Sequence, residues 1–224
     1  MSKLSTRLEM VASLVPKGVN CADIGADHGY LIIELLNRKL INKGYACENK
    51  LGPFNRLKNN VEKMNLSMLI ECELSDGIRT LPRDINAVII AGMGGDTVCS
   101  ILKDSLKKLE NIDYFIISSH SKMDDVRCLL TNLNYYIVNE KACFDMNQYY
   151  EVTLFEKGNK SYSSNELKYG PILLKNKDVN LLKKLEEKII FNQNLMKNAN
   201  IPENRIKEIQ IENDELINII KIIK

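Results

Sequence analysis

"VNCADIGADHGYLIIELL", residues 19–36, holds a strand, a tight turn and the start of a helix. The ramp from Val19 to Ile24 reads as a short buried strand, and Leu31, Ile32, Leu35 and Leu36 return at helical spacing. Between them Gly25 and Gly29 bracket Asp27 and His28, so the turn is both sharp and polar.

Outward from this unit the same alternation repeats. Upstream, Leu4, Leu8, Val11, Ala12 and Val15 share one helical face, closed by Pro16-Lys17-Gly18. Downstream, the strands "YACE", "MLIECEL", "INAVIIAGM" and "DYFIISS" alternate with the helices "PFNRLKNNVEKMN", "DTVCSILKDSLKKL" and "DDVRCLLTNL". "YYIVNEKACF" and "YYEVTLFEK" follow as alternating strands joined through Asp145-Met146-Asn147, a hairpin. Strand–helix alternation predicts an α/β fold with a doubly wound, mainly parallel sheet. The antiparallel hairpin at its end matches the class I methyltransferase (Rossmann-like) type, whereas dehydrogenases continue with parallel units.

The texture changes after Lys160. "SYSSNELKYGPILLKNKD" is polar with a Gly-Pro break and reads as a linker or docking segment. Two amphipathic patterns, "VNLLKKLEEKIIFNQNLMKN" and "NRIKEIQIENDELINIIKIIK", are separated by Ala199-Asn200-Ile201-Pro202 and predict a C-terminal antiparallel helical hairpin. Leu181, Leu185, Ile189, Ile209, Leu216 and Ile220 form its apolar face, a core between the helices or a face for a partner subunit. Residues 1–158 are thus expected to form the sheet domain, and 159–224 the linker and hairpin.

Composition narrows the class. With 224 residues, 45% hydrophobic, 27% charged and a net charge of +2, the chain is an ordinary globular protein that can bury a core. No apolar run reaches the length of a membrane span, and "MSKLSTRLEM" lacks the apolar region of a signal peptide, so a cytoplasmic protein is expected. The cysteines at 21, 47, 72, 99, 128 and 143 are scattered, without a CxxC, and read as small hydrophobes in a reducing compartment. Two histidines without partnering ligands predict no metal site.

Ligands of a parallel sheet bind beyond the carboxyl ends of its strands, where strand order reverses. Asp23 to Tyr30 lie at such an end. The loop is not GxGxxG, and its two acids would oppose a pyrophosphate, so a cationic or zwitterionic ligand suits it better. Glu48 closes the second strand, where an acid can take both ribose hydroxyls, and Asp76-Gly77 follows the third, where a carboxylate can meet an adenine amino group. Acids ending three successive strands predict a nucleoside site. In "AGMGGD", residues 91–96, the glycines Gly92, Gly94 and Gly95 leave a floor on which a flat base can lie.

"LSTRLEMVASLVPKG", "ADIGADHGYL", "GPFNRLKNNV", "SDGI" and "IAGMGG", in this order, resemble the bacterial tRNA (adenine(22)-N1)-methyltransferase family. The resemblance spans roughly residues 4–156, with a weaker echo in "YGPILL" and a similar helical tail. It implies S-adenosyl-L-methionine as cofactor, tRNA as partner, and methylation of N1 of an adenine in the D-arm. It implies Asp23, Gly25, Gly29, Glu48, Asp76, Gly77 and Gly92 at the cofactor, with Asp27, His28 and Met93 facing the transfer site. Arg7 is its candidate for the methionine carboxylate, and Tyr30, Gly94 and His120 are its candidates for contacting the target base. The chain departs from the family pattern after the fifth strand, where Ser118-Ser119-His120 stands in place of Gln-Pro-Asn.

Adenine N1 is a neutral nucleophile and needs no base, but the product is cationic across N1 and N6. A fixed carboxylate there would stabilise the developing charge, and Asp27 is the expected catalytic residue. Because N1 is on the Watson–Crick edge, the base must leave its stack to react. Lys168, Lys175, Lys177, Lys183, Lys184, Lys188 and Lys197 offer phosphate contacts in the tail. Competing readings are a small-molecule methyltransferase, for which no apolar lid is evident, and a binding module that has lost catalysis. A nicotinamide dehydrogenase fits least, and the oligomeric state is left open.

Overall fold

The computed structural model describes residues 4–197 and 201–224. In chain order the sheet domain runs α1 (Thr6–Ala12), β1 (Val19–Ile24), α2 (Tyr30–Asn37), β2 (Ile41–Glu48), α3 (Leu51–Lys63), β3 (Ile70–Leu74), β4 (Ala87–Met93) and α4 (Gly95–Lys103). It continues with α5 (Leu106–Leu109), β5 (Tyr114–Ser119), α6 (Met123–Asn132), β6 (Tyr135–Asp145) and β7 (Gln148–Lys157). The tail comprises α7 (Ser164–Tyr169), α8 (Pro171–Lys175), α9 (Val179–Met196) and α10 (Glu203–Ile223).

The seven strands lie in the order β3-β2-β1-β4-β5-β7-β6, parallel except for β7, which runs antiparallel to both β5 and β6. Strand order reverses between β1 and β4, so their carboxyl ends, at Ile24 and Met93, flank the crevice. β4 explains why such a strand reads as a continuous apolar run: Ala87, Val88, Ile89 and Ile90 are fully buried. Ile89 joins the apolar layer with α1 to α3, while Val88 and Ile90 join the layer with α4 to α6. Each such aliphatic side chain contributes about 1.5–3 kcal/mol on burial. The β6–β7 turn has Met146 and Asn147 both at positive φ, the geometry of a tight hairpin whose twist matches its strands.

The segment read as a linker or docking segment is ordered and docks on the sheet domain. Ser163 caps α7 reciprocally with Glu166, and Pro171 opens α8. Tyr162 accepts the Ile137 N–H at 2.7 Å, and Tyr169 and Leu173 are buried with Leu181, Leu185, Leu216, Ile219 and Ile223. The apolar face of α9 and α10 is therefore a core shared with α7 and α8. Contacts from Lys188 to Glu212 and from Lys224 to Glu186 show that the two long helices run antiparallel. Buried Asn192 donates to Asn213 at 3.0 Å, a polar pair that sets their register. The predicted break between them lies partly outside the described residues, at Ala199 and Asn200. Among the described residues no helix is long and apolar enough to cross a membrane.

The centre of the tail docking is ionic. Arg127 on α6, with no exposed surface, donates to Glu140 on β6 at 2.7 Å and to Glu151 on β7 at 3.1 Å. Its third nitrogen donates to the Leu167 carbonyl of α7, while Glu140 also accepts from Thr153 and from the Ile172 N–H of α8. Burial opposes ionisation of Glu151, but Arg127, Lys184 and bonds from Arg127 and Tyr149 outweigh it and hold its carboxyl below the usual range.

Candidate active site

The loop after β1 is positioned by its neighbours on both sides. Gly25 and Ala26 both donate their N–H to the Cys47 carbonyl, at 2.9 and 3.0 Å, tying the turn to the end of β2. Asn60 of α3 donates to the His28 carbonyl at 2.9 Å. Gly25 and Gly29 have φ of +74° and +73°, where a Cβ would meet the Met93 methyl and Leu57 respectively. Gly25 is thus left bare for close approach at the site, whereas Gly29 serves packing against α3.

Two adjoining cavities share Gly25. The larger, about 260 Å³, is bordered by Arg7, Asp23, Asp27, His28, Tyr30, Gly92 and His120. The smaller, about 70 Å³, is bordered by Glu48, Asn49, Ser75, Asp76, Gly77 and Met93. The Met93 side chain lies over Gly25 between them. Residues far apart in the chain, from α1 to the loop after β5, are therefore brought to one end of the sheet.

The charges are set for a zwitterion beside a nucleoside. Asp23 is buried, and its carboxyl is pushed up to about 7 by burial, which outweighs the lowering by Arg7 and adds to the repulsion of Glu48. Glu48 is held by two backbone donors, the N–H of Asp27 and of Asn49, each at 3.1 Å, which leaves lone pairs for further donors. Arg7 is anchored by its backbone N–H to Asp145 at 3.2 Å and lies over the Tyr150 ring. Its Nη1 is buried without a hydrogen-bond partner, beside Gly92. A buried, unpartnered guanidinium nitrogen is costly unless it meets an anion.

Asp27 has φ of 48°, and its carboxylate lies 3.6 Å from both Arg56 Nη2 and His28 Nε2. Arg56, on α3, escaped sequence reasoning because its place depends on how α3 lies beside the loop. Tyr30 stacks on His28 at 5.2 Å, and the exposed His120 ring packs edge-on to Tyr150 at 5.8 Å. Gly94 and Gly95 border neither cavity. A Cβ on Gly94 would stand 3.5 Å from Ser121 Oγ, and one on Gly95 would meet the Ser121 and Lys122 carbonyls at 2.6 Å. Of the three glycines only Gly92 borders the larger cavity, and Gly95 is the one that lets the loop after β5 pack on α4, since a Cβ at Gly94 would make an ordinary contact.

The Ser118-Ser119-His120 departure keeps an ordered backbone. The His120 N–H donates to the Met93 carbonyl at 3.0 Å, and the Ser119 hydroxyl donates to the Met93 and Ser121 carbonyls. Ser118 Oγ is buried without a partner.

Comparison with known proteins identifies the family. Residues 4–153 match the family model described as a methyltransferase domain. The chain is 32% identical over 201 residues to the tRNA (adenine(22)-N(1))-methyltransferase of Bacillus subtilis, covering 86% of this chain and 84% of that one. A Streptococcus pneumoniae relative crystallised with S-adenosyl-L-methionine is 28% identical with a TM-score of 0.90, covering 97% of this chain and 100% of the other. TrmK of M. capricolum, solved with S-adenosyl-homocysteine, is also 28% identical, with a TM-score of 0.88 and complete coverage of both chains. The end-to-end match of fold and sequence places this chain in the tRNA (adenine(22)-N1)-methyltransferase family.

Proposed function

We propose that the chain methylates N1 of an adenine in the D-arm of tRNA, at position 22, in the cytoplasm. The observation that carries this reading is the convergence of Asp23, Glu48 and Asp76, from three successive strand ends, around Gly25 and the unpartnered Arg7 nitrogen.

These residues fit S-adenosyl-L-methionine, which when bound supplies an electrophilic methyl group on a sulfonium. Arg7 would hold the carboxylate, Asp23 the ammonium, Glu48 the ribose hydroxyls and Asp76 the adenine amino group. Met93, whose methyl lies by Gly25 where the two cavities meet, has an unbranched side chain that can adjust to a ligand spanning both. On the substrate side, Gly92 leaves room for the extruded base, bordered by Tyr30, His28 and His120. Asp27 accepts from the target N6–H and stabilises the positive charge that spreads to N6 as the N1 lone pair forms its new bond. No proton has to leave N1, so no general base is required. Residues 1–158 carry this chemistry, and 159–224 add contacts to the tRNA.

Incubation with labelled cofactor and unmodified tRNA, followed by digestion, should place the label on N1 of adenine 22. Label at another position, or none with tRNA, overturns the reading. Glu48→Ala should weaken cofactor binding by about 1–3 kcal/mol, since charge-assisted hydrogen bonds are lost; titration calorimetry measures it.

Asp23 adds a pH dependence. Its folded value of about 7 lies above the ordinary 3.8, so the folded chain keeps a proton that the unfolded chain has lost. Asp23 therefore costs stability as pH rises from about 4 to 7, and the cost is complete above that window. A ligand ammonium favours the ionised form. Cofactor affinity should accordingly climb as pH approaches 7 and level off above it. Asp23→Asn should flatten this profile, weaken binding and raise the melting temperature at neutral pH. An unchanged profile in that variant would remove Asp23 from the ligand.

A further inference from the structure

A third cavity, about 320 Å³, lies on the far side of His120 from the cofactor cavities, between the sheet domain and the tail. His120 borders both this cavity and the larger one at the end of β1, so the two adjoin at that ring. Lysines from three separate elements border it: Lys122 before α6, Lys168 on α7 and Lys184 on α9. Gln148 and Tyr149, at the start of β7, add polar groups.

The lysines are not equivalent. Lys122 is paired with Asp96 at 2.7 Å, and Lys168 with Glu215 at 2.7 Å. The latter pair is solvent-exposed and contributes little, so that ammonium can turn to a stronger anion. Lys184 makes no ion pair among the described residues and stands 4.2 Å over the Tyr149 ring. Two acids also border the cavity. Glu151 is already bonded to Arg127 and Tyr149, and Asp124 lies in the first turn of α6, where free N–H groups offset its charge. Lys184 thus makes no hydrogen-bonded ion pair of its own: its charge faces the Arg127-bound Glu151 carboxylate, and it is held against an aromatic ring at the seam between tail and sheet domain.

We propose that this cavity seats the phosphate of the extruded adenosine, with Lys184 and Lys168 as its donors, an inference that rests on the tRNA reading above. A nucleotide whose base lies by Gly92 and Asp27 carries its sugar-phosphate out past His120, towards these ammonium groups. The tail then acts on the reaction through one phosphate beside the base rather than through its lysines at large. Lys183, Lys188 and Lys197 do not border this cavity.

The test is binding of unmodified tRNA to the full chain over a series of salt concentrations. Lys184→Ala should weaken binding about five- to tenfold and lower the log–log salt slope by about 0.7–0.9, with cofactor affinity unchanged. Lys184→Arg should restore most of the slope, and Lys43→Ala, at a lysine near the amino end of β2 and outside the cavity, should change affinity less than about twofold. Adenosine 5′-monophosphate should compete with tRNA at lower concentration than adenosine on the wild type, and the two should compete equally on Lys184→Ala. Wild-type affinity and slope in Lys184→Ala, or an equal loss in Lys43→Ala, would overturn the proposal. If Lys184→Ala loses cofactor binding, the contrast between the two competitors on the wild type decides instead. A wild type that binds no tRNA refutes the tRNA reading itself, and does so before any variant is made.

Discussion

Asp27→Asn should slow methyl transfer by about 100-fold or more while cofactor affinity stays within a few-fold. That is the scale on which removing one preorganised electrostatic partner acts. Asparagine is the cleaner probe than alanine, because position 27 has φ of 48° and asparagine tolerates the left-handed region. The backbone N–H to Glu48 survives the change, so the ribose acid stays oriented. What is lost is the negative charge facing the target amino group, and with it the attraction to Arg56 and His28. Single-turnover rates separate transfer from binding. Near-normal turnover in Asp27→Asn and Asp27→Ala alike would reduce Asp27 to a turn residue. His120→Ala should be much milder, since its exposed ring borders the cavity but no proton needs to be moved.

Arg127→Leu should destabilise the fold by about 3–5 kcal/mol, because it leaves Glu140 and Glu151 buried without their cation. For a chain of this size that corresponds to a fall of roughly 10 °C in melting temperature. Arg127→Lys should recover only part of the loss: three separate nitrogens of the guanidinium meet Glu140, Glu151 and the Leu167 carbonyl, and one ammonium cannot span them. Urea unfolding measures both. A loss below about 1 kcal/mol in Arg127→Leu would show that the carboxylates find water. The leucine variant should also loosen α7 and α8, which meet the triad through Leu167 and Ile172, and protection of those amides from exchange should drop before that of β4.

The alternation of β1 to β5 with their helices was legible because each element's period is a local property. So were Asp23, Glu48 and Asp76, since a residue that closes a strand of a parallel sheet stands at its ligand-binding end whatever the rest of the chain does. Other features were not local. Gly94 and Gly95 carry the same residue type as Gly92, yet they pack against the loop of Ser121 and Lys122, a contact between segments more than twenty residues apart. The segment from Ser161 to Asp178 read only as a linker or docking segment because its helices, Ser164–Tyr169 and Pro171–Lys175, are too short to show a period. They are held by Tyr162, Arg127 and Glu140, whose partners lie 25 to 40 residues away.

By itself, then, the chain's pattern of apolar residues and strand-end acids determined the doubly wound sheet, the helical tail and the placing of three acids at one end of the sheet. Only the tertiary structure decided which charges are free. Arg7 Nη1 is buried without a hydrogen-bond partner, while Lys168, Lys188 and Arg127 are ion-paired, because pairing depends on distances across the fold. The physical reason is one of range: hydrophobic periodicity is written in neighbours three or four positions apart, whereas electrostatic availability is set by whatever folding brings within about 4 Å.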